Sequence, residues 1–278
     1  MDETNVLGLI AGGGRLPCLI ADGARAAGMT VVCVGLAGSV ETDLRGHVNT
    51  FFLGAAARPG GWMRKLRRHG VRRTVMVGRV AKTNLFVPWR IVRYIPDWRA
   101  LRIWYWRLRH TDKRNDAVLC AIADELAAGG IILEDSTMYC KEHLAGEGLM
   151  TRGRPGASVQ ADIDFGWPIV KKLGELDIGQ AIAVREREII AVEAIEGTAA
   201  MIERAGRLCK KGGWTLIKAA KPGQDMRFDV PCVGPETIRS LAANGGTCLV
   251  VEKGKTILID KPRTIALADE LGIAIVGH

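Results

Sequence analysis

No stretch of this chain approaches the roughly 18 uninterrupted apolar residues that a membrane-spanning helix needs, so none is expected. Seven cysteines are present, but none forms a C-x-x-C pair, which counts against a zinc ribbon or a thioredoxin motif. Most sit in apolar surroundings such as Val32-Cys33-Val34, and are expected to be buried free thiols of a reducing compartment. None of the five histidines has H-E-x-x-H or H-x-x-E-H spacing, and no G-x-S-x-G elbow occurs. Histidine-based metal hydrolysis and acyl-serine chemistry are therefore disfavoured. The opening residues, Met1-Asp2-Glu3-Thr4, are acidic where a secretory signal would be basic. A cytoplasmic location is expected.

The net charge of +9 is unevenly spread. Between Arg58 and Arg114, 17 Lys or Arg face only Asp97 and Asp112, so this segment carries +15 and the remainder −6. Its densest part, Pro88 to His110, interleaves Arg90, Arg93, Arg99, Arg102, Arg107 and Arg109 with Trp89, Tyr94, Trp98, Trp104, Tyr105 and Trp106. Arginines attract anionic headgroups, and Trp and Tyr favour the bilayer interface. The composition also suits nucleic acid, or a solvated basic helix with its aromatics turned inward. No RNP, KH or helix-turn-helix signature supports nucleic acid, which is not expected as a partner.

The first half alternates strand and helix patterns, which argues for a parallel α/β sheet. Strands are expected at Val6 to Ile10, Thr30 to Val34, Thr74 to Val77 and Ile131 to Leu133. Helices are expected at Leu16 to Ala27, Met63 to His69 and Asn115 to Ala128. Leu149 to Ser158, with Gly153, Pro155 and Gly156, has no apolar period and reads as a linker. Domains over 1–150 and 151–278 follow. The second half reads as another mixed α/β unit, with strands near 180–185, 189–194, 215–219, 248–252, 256–259 and 273–276, and helices near 198–206, 235–244 and 264–271.

Gly12, Gly13 and Gly14 lie between the first strand and the first helix. Such a turn exposes backbone N–H groups at a positive helix end, ready for a phosphate, but it serves equally as a tight turn made for packing. It is neither G-x-G-x-x-G nor G-K-[ST], which weakens the dinucleotide-cofactor and Walker A readings.

Several stretches together resemble the LpxI family. The opening GLIAGGGRLP (8–17) and the segment NDAVL (115–119) are similar to family signatures. LGELDIGQ (173–180), IAVEAIEGT (190–198) and KPGQDMRFDVP (221–231) match it more specifically and in order. The resemblance implies an N-terminal Rossmann-like domain and a C-terminal α/β domain particular to the family, with substrate held between them. It implies divalent-metal-dependent hydrolysis, with Mg²⁺ the expected ion, of UDP-2,3-diacylglucosamine to UMP and 2,3-diacylglucosamine 1-phosphate in lipid A synthesis, with water attacking the sugar-side phosphorus. The work would be done peripherally at the cytoplasmic face of the inner membrane, and a homodimer is compatible with it. The aspartate on which the family depends maps to Asp229. The sequence departs from the pattern at Asn115, which stands where the family has the first of two aspartates beside Asp116, and at Ala199, where an acid is usual.

Pyrophosphate hydrolysis needs cations and an oriented water at a crowded anionic centre. Asp177, Glu193, Glu196, Asp225 and Asp229 are the acids of the matching stretches, with Gln180 and Gln224 as neutral oxygen donors. Asp177, Glu193, Glu196 and Asp229 are the candidate metal ligands. Each of the first three has a structural alternative: Asp177 with Gln180 as a turn cap, Glu193 as the partner of a structural arginine, Glu196 as a helix cap. Asp225 reads equally as a solvated loop acid. Asp229, Arg227 and Lys221 are the candidate catalytic residues, the two cations gripping phosphate oxygens. Gly12, Gly13, Gly14, Asp116, Gln180, Thr198 and Gln224 are the candidate substrate contacts. A nucleotide-cofactor oxidoreductase and a non-enzymatic membrane-surface binder are the competing readings.

Overall fold

A computed structural model of the chain describes residues 5–41, 43–79, 96–103, 105, 115–228 and 230–278, with the side chains of 115 and 116 excepted. The chain divides into two compact units. One lies within Met1–Cys140 and also includes residues 225–228; the other is formed by Lys141–Gln224 and Val230–His278.

The first unit is built on five strands: β1 (Val6–Ala11), β2 (Thr30–Leu36), β3 (Thr50–Gly54), β4 (Arg73–Val77) and β5 (Ile132–Leu133). They form one sheet in the order β3-β2-β1-β4-β5, with every pairing parallel. All six residues of β1 are buried, as expected of a central strand covered on both faces. Helices α1 (Leu16–Ala26), α2 (Pro59–Arg68), α3 (Trp98–Arg102) and α4 (Asn115–Ala128) complete the unit. Ile10, Val34, Trp62, Leu66 and Leu126 meet in its core. The α/β expectation holds here. β3 was not anticipated, because five residues reading TFFLG carry too little pattern to separate a strand from a loop.

Most of the basic aromatic segment lies outside the described residues. Where it is described, two of its arginines turn inward. Glu125 of α4 is 1% exposed, and Arg102 donates to it from Nη2 (2.6 Å to Oε1) and Nε (3.0 Å to Oε2), joined by Arg99. Burial alone would raise the Glu125 carboxyl, but the hydrogen bonds from Arg102 and Arg99 outweigh it and hold the group below its ordinary value. Trp98 and Tyr105 are exposed.

The second unit holds β6 (Gly148–Leu149), α5 (Ala157–Glu175), β7 (Ala181–Arg185), β8 (Glu188–Val192), α6 (Gly197–Leu208), β9 (Trp214–Lys218), β10 (Cys232–Val233), α7 (Pro235–Ala243), β11 (Gly246–Val251), β12 (Ile257–Leu258), α8 (Lys261–Glu270) and β13 (Ala274–Gly277). Six strands form a mixed sheet in the order β6-β13-β11-β9-β7-β8. β13, β11 and β9 are parallel; β7, β8 and β6 run antiparallel to their neighbours. Trp214, Leu216, Leu241 and Leu249 form its main core.

α5 is the one long helix that the pattern did not reveal. Gly166 and Pro168 interrupt its propensity, although Val159, Ile163 and Val170 recur on a buried face. Gly166 is there for closeness: a Cβ would come within 2.6 Å of the Ile217 side chain in β9. Among the described residues no helix is long and apolar enough to cross a membrane.

Candidate functional site

The glycine loop after β1 spends most of its donors within the protein. The Gly12 N–H donates to the Val77 carbonyl at 2.8 Å, and Gly13 exchanges backbone bonds with Arg79 at 2.8 and 2.9 Å. A Cβ at Gly12 would lie 2.6 Å from the Arg79 carbonyl oxygen, so the backbones approach too closely for any side chain. Packing thus accounts for Gly12 and Gly13. The Gly14 N–H instead meets a carboxylate, Glu41 Oε1 at 2.9 Å, on the exposed side of the loop. An anionic oxygen already sits where a phosphate oxygen could.

The richer polar cluster gathers in the second unit, at the carboxyl ends of β9 and β11. Ligands of open α/β sheets collect outside such strand ends. Lys218, the last residue of β9, is buried and donates to Thr198 Oγ1 at 3.1 Å and to the Cys232 carbonyl at 3.2 Å. Thr198, at the start of α6, donates to Glu193 Oε1 at 2.7 Å. Glu193 is 6% exposed, and its second oxygen, Oε2, is buried with no hydrogen-bond partner among the described residues. The same holds for Gln180 Oε1. Glu193 and Gln180 flank the β7–β8 pairing, where Glu193 N–H donates to the Ala181 carbonyl at 2.8 Å. A Cβ on Gly179 would stand 1.9 Å from the Glu193 carbonyl oxygen, which shows how tightly these two loops approach. The structural-arginine alternative for Glu193 is not realised; threonine is its partner.

Beside this lies Glu252, just past β11, held by Lys171 (3.0 Å) and Lys255 (2.8 Å), with the Ala220 N–H donating at 2.8 Å. Burial raises its carboxyl, but hydrogen bonds from Lys255 and Lys171 prevail and lower it.

The other predicted carboxylates are held by cations. Asp177 closes α5: its N–H and that of Ile178 bond back to Gly174 and Leu173, and its φ of 55° is left-handed where glycine is usual. Its carboxylate pairs with Lys221. Glu196 pairs with Arg204 and accepts from the Ala194 N–H at 3.2 Å; it stands at the N-cap of α6 but its side chain makes no capping hydrogen bond to that helix, so the helix-cap reading is not realised. Gln224 Oε1 accepts from the Lys221 N–H at 2.9 Å, which shapes the turn at Pro222-Gly223.

Residues 225–228 belong to the first unit. Ser136 Oγ donates to the Met226 carbonyl at 3.1 Å, and Phe228 packs on the first unit's core. Asp225 is no free loop acid. It accepts from Arg227 Nε at 2.9 Å and Nη2 at 2.6 Å, and these hydrogen bonds hold its carboxyl below the usual range against the opposing effect of burial. The Arg227 guanidinium also lies 5.0 Å from the centre of the Phe228 ring and stays 41% exposed, so it is oriented yet accessible. Asp229 lies outside the described residues. So does the Asp116 side chain, on the second residue of α4.

Among the described residues one group of three side chains could hold a metal ion, and it is not among those expected. Cys18, Asp43 and His47 place their ligand atoms within 4.8 Å of one another. Burial, then the Asp43 carboxylate, push the Cys18 thiol up to about 11. Lys218, Lys171 and Glu252 also escaped the sequence reading. For Lys218 and Glu252 the signal was present, a charged residue at the carboxyl end of a predicted apolar strand; Lys171 lies within α5, which the pattern did not reveal.

The LpxI N-terminal domain family matches residues 6–143, and the LpxI C-terminal domain family matches residues 146–276. The chain is 31% identical over 279 aligned positions to "UDP-2,3-diacylglucosamine pyrophosphatase LpxI" of Caulobacter vibrioides (strain ATCC 19089 / CIP 103742 / CB 15), covering 98% of this chain and 96% of that protein.

Proposed function

Since the chain belongs to the LpxI family along nearly its whole length, we propose that it hydrolyses the pyrophosphate of UDP-2,3-diacylglucosamine to UMP and 2,3-diacylglucosamine 1-phosphate, a step of lipid A synthesis. The observation that carries this reading is the extent of the similarity. It runs through both domain families, and the relative that bears that activity in its name aligns over 98% of this chain and 96% of its own.

The chemistry requires a water oxygen to bond to the sugar-side phosphorus while the anhydride P–O bond breaks, UMP leaving with the electron pair and the water proton passing to a base. Asp229 takes the water, as base or as the carboxylate that orients it. Arg227, held in place by Asp225 and still accessible, grips phosphate oxygens where charge builds up. Lys221 is assigned the same task beside its partner Asp177. Thr198, itself held by Lys218, orients Glu193 at the strand ends. A divalent cation such as Mg²⁺, when bound, neutralises charge on the pyrophosphate; the unpartnered hard oxygens Glu193 Oε2 and Gln180 Oε1 fit such an ion, while Asp177 and Glu196 are already neutralised by Lys221 and Arg204. The diacylated substrate places this work at the cytoplasmic face of the inner membrane, and the exposed Trp98 and Tyr105 support contact there.

The test is Asp229→Ala. UMP release from UDP-2,3-diacylglucosamine should fall at least a thousandfold with the thermal unfolding transition retained, and reaction in ¹⁸O-water should label the sugar phosphate. Undiminished turnover, or label in UMP, would overturn the assignment.

A further inference from the structure

Two pairs of polar side chains, each four residues apart, face one another at the start of the first unit. Cys18 and Asp22 stand one turn apart on α1; Asp43 and His47 are the ends of a 3₁₀ helix over Asp43–His47. The Cys18 sulfur donates to Asp43 Oδ2 at 4.0 Å. Both Asp22 oxygens lie on His47 Nδ1, at 2.7 and 2.9 Å. A carboxylate on Nδ1 keeps the ring hydrogen there and leaves the Nε2 lone pair for a metal, the usual outer-shell arrangement of a ligating histidine. A tetrahedral ion with bonds of about 2.0–2.3 Å separates its donors by about 3.5 Å. The present spread, within 4.8 Å, therefore closes with roughly 1 Å of side-chain motion. Among the described residues Arg15, at 3.5 Å, balances Asp43, and as a half-exposed side chain it can yield to a doubly charged ion.

We propose that Cys18, Asp43 and His47 form a site for a borderline-soft divalent ion of the Zn²⁺ class, with Asp22 orienting His47 and the fourth position open. Thiolate and imidazole select such an ion over Mg²⁺. All four residues lie in the first unit, and none belongs to the hydrolytic set named above. The bound ion clips the 3₁₀ segment to α1, beside the loop where Glu41 meets the Gly14 N–H.

The experiment is a Co²⁺ titration of metal-free, full-length protein in a non-thiol reductant. One equivalent should produce a thiolate-to-cobalt charge-transfer band that Zn²⁺ abolishes and excess Mg²⁺ does not. Cys18→Ser and His47→Ala should each lose the band. Asp22→Asn should weaken Co²⁺ binding by about tenfold or more while keeping it. Cys209→Ser, at a partly buried thiol elsewhere, should leave it unchanged. If Cys18→Ser fails to fold, His47→Ala at the more open position carries the test. Absence of a band at saturating Co²⁺, or its survival in Cys18→Ser or His47→Ala, would overturn the proposal. UMP release by His47→Ala with Mg²⁺ should stay within about twofold of the parent, so this idea and the hydrolysis reading fail separately.

Discussion

The glycine loop of the first unit and the strand ends of the second are both polar, but they use their polar groups differently. In the loop, Gly12 and Gly13 donate to neighbouring backbone, and Gly14 to Glu41. At the strand ends, Lys218, Glu193 and Glu252 are buried charged groups, and Glu193 keeps an oxygen with no partner among the described residues. Burying a polar atom unpaired costs about 1–3 kcal/mol. A fold carries that cost where a ligand group later relieves it. The comparison therefore puts recognition weight on the second unit, although the glycine loop is the more conspicuous feature of the sequence.

The sharpest way to break this comparison is Glu193→Gln. It keeps the shape and the Thr198 bond but removes the charge, and kcat for UMP release should fall by about a hundredfold or more, as when one preorganised electrostatic contact is lost. Glu41→Gln should leave kcat unchanged. Equal losses in the two variants would dissolve the distinction.

A second prediction concerns the first unit's own buried charge. Glu125→Ala leaves Arg99 and Arg102 without their carboxylate, and chemical denaturation should show a loss of about 3–5 kcal/mol. The sign of the pH effect follows from the lowered carboxyl. Its contribution is fully present above the ordinary value of 4.5 and fades as pH falls through the depressed folded value. Parent and Glu125→Gln should therefore differ most near neutrality and converge in acid. A gap that widened below pH 4.5 would contradict the ion-pair account.

The smallest effect is expected at Glu41. Glu41→Ala frees the Gly14 N–H at the head of α1, and KM for the nucleotide substrate should fall by about two- to fivefold, corresponding to about 0.5–1 kcal/mol of helix-terminus attraction. A rise in KM would mean that Glu41 itself contacts substrate.

Local pattern sufficed for most elements. Asn115–Ala128 was legible as a helix from Val118, Ile122 and Leu126, and the strands of both sheets, β3 and β6 excepted, from short apolar runs. α5 was not, because Gly166 is required by a close contact with β9, which is a tertiary fact. For the candidate site, the sequence named the acids but not their partners. Asp177 and Lys221 stand 44 residues apart, and Lys171 and Glu252 stand 81 apart.

Alternation of strand and helix, the punctuation by glycine and proline, and the signature stretches at 173–180, 190–198 and 221–231 were written in residue order, because each depends on neighbours within a few positions. Which carboxylates are neutralised and which keep an open oxygen depends on side chains brought together from distant segments. Coulomb and hydrogen-bond energies fall off over a few ångströms of space, so only the folded chain could decide that Asp225 holds Arg227, that Lys218 and Thr198 hold Glu193, and that Cys18 meets Asp43 and His47.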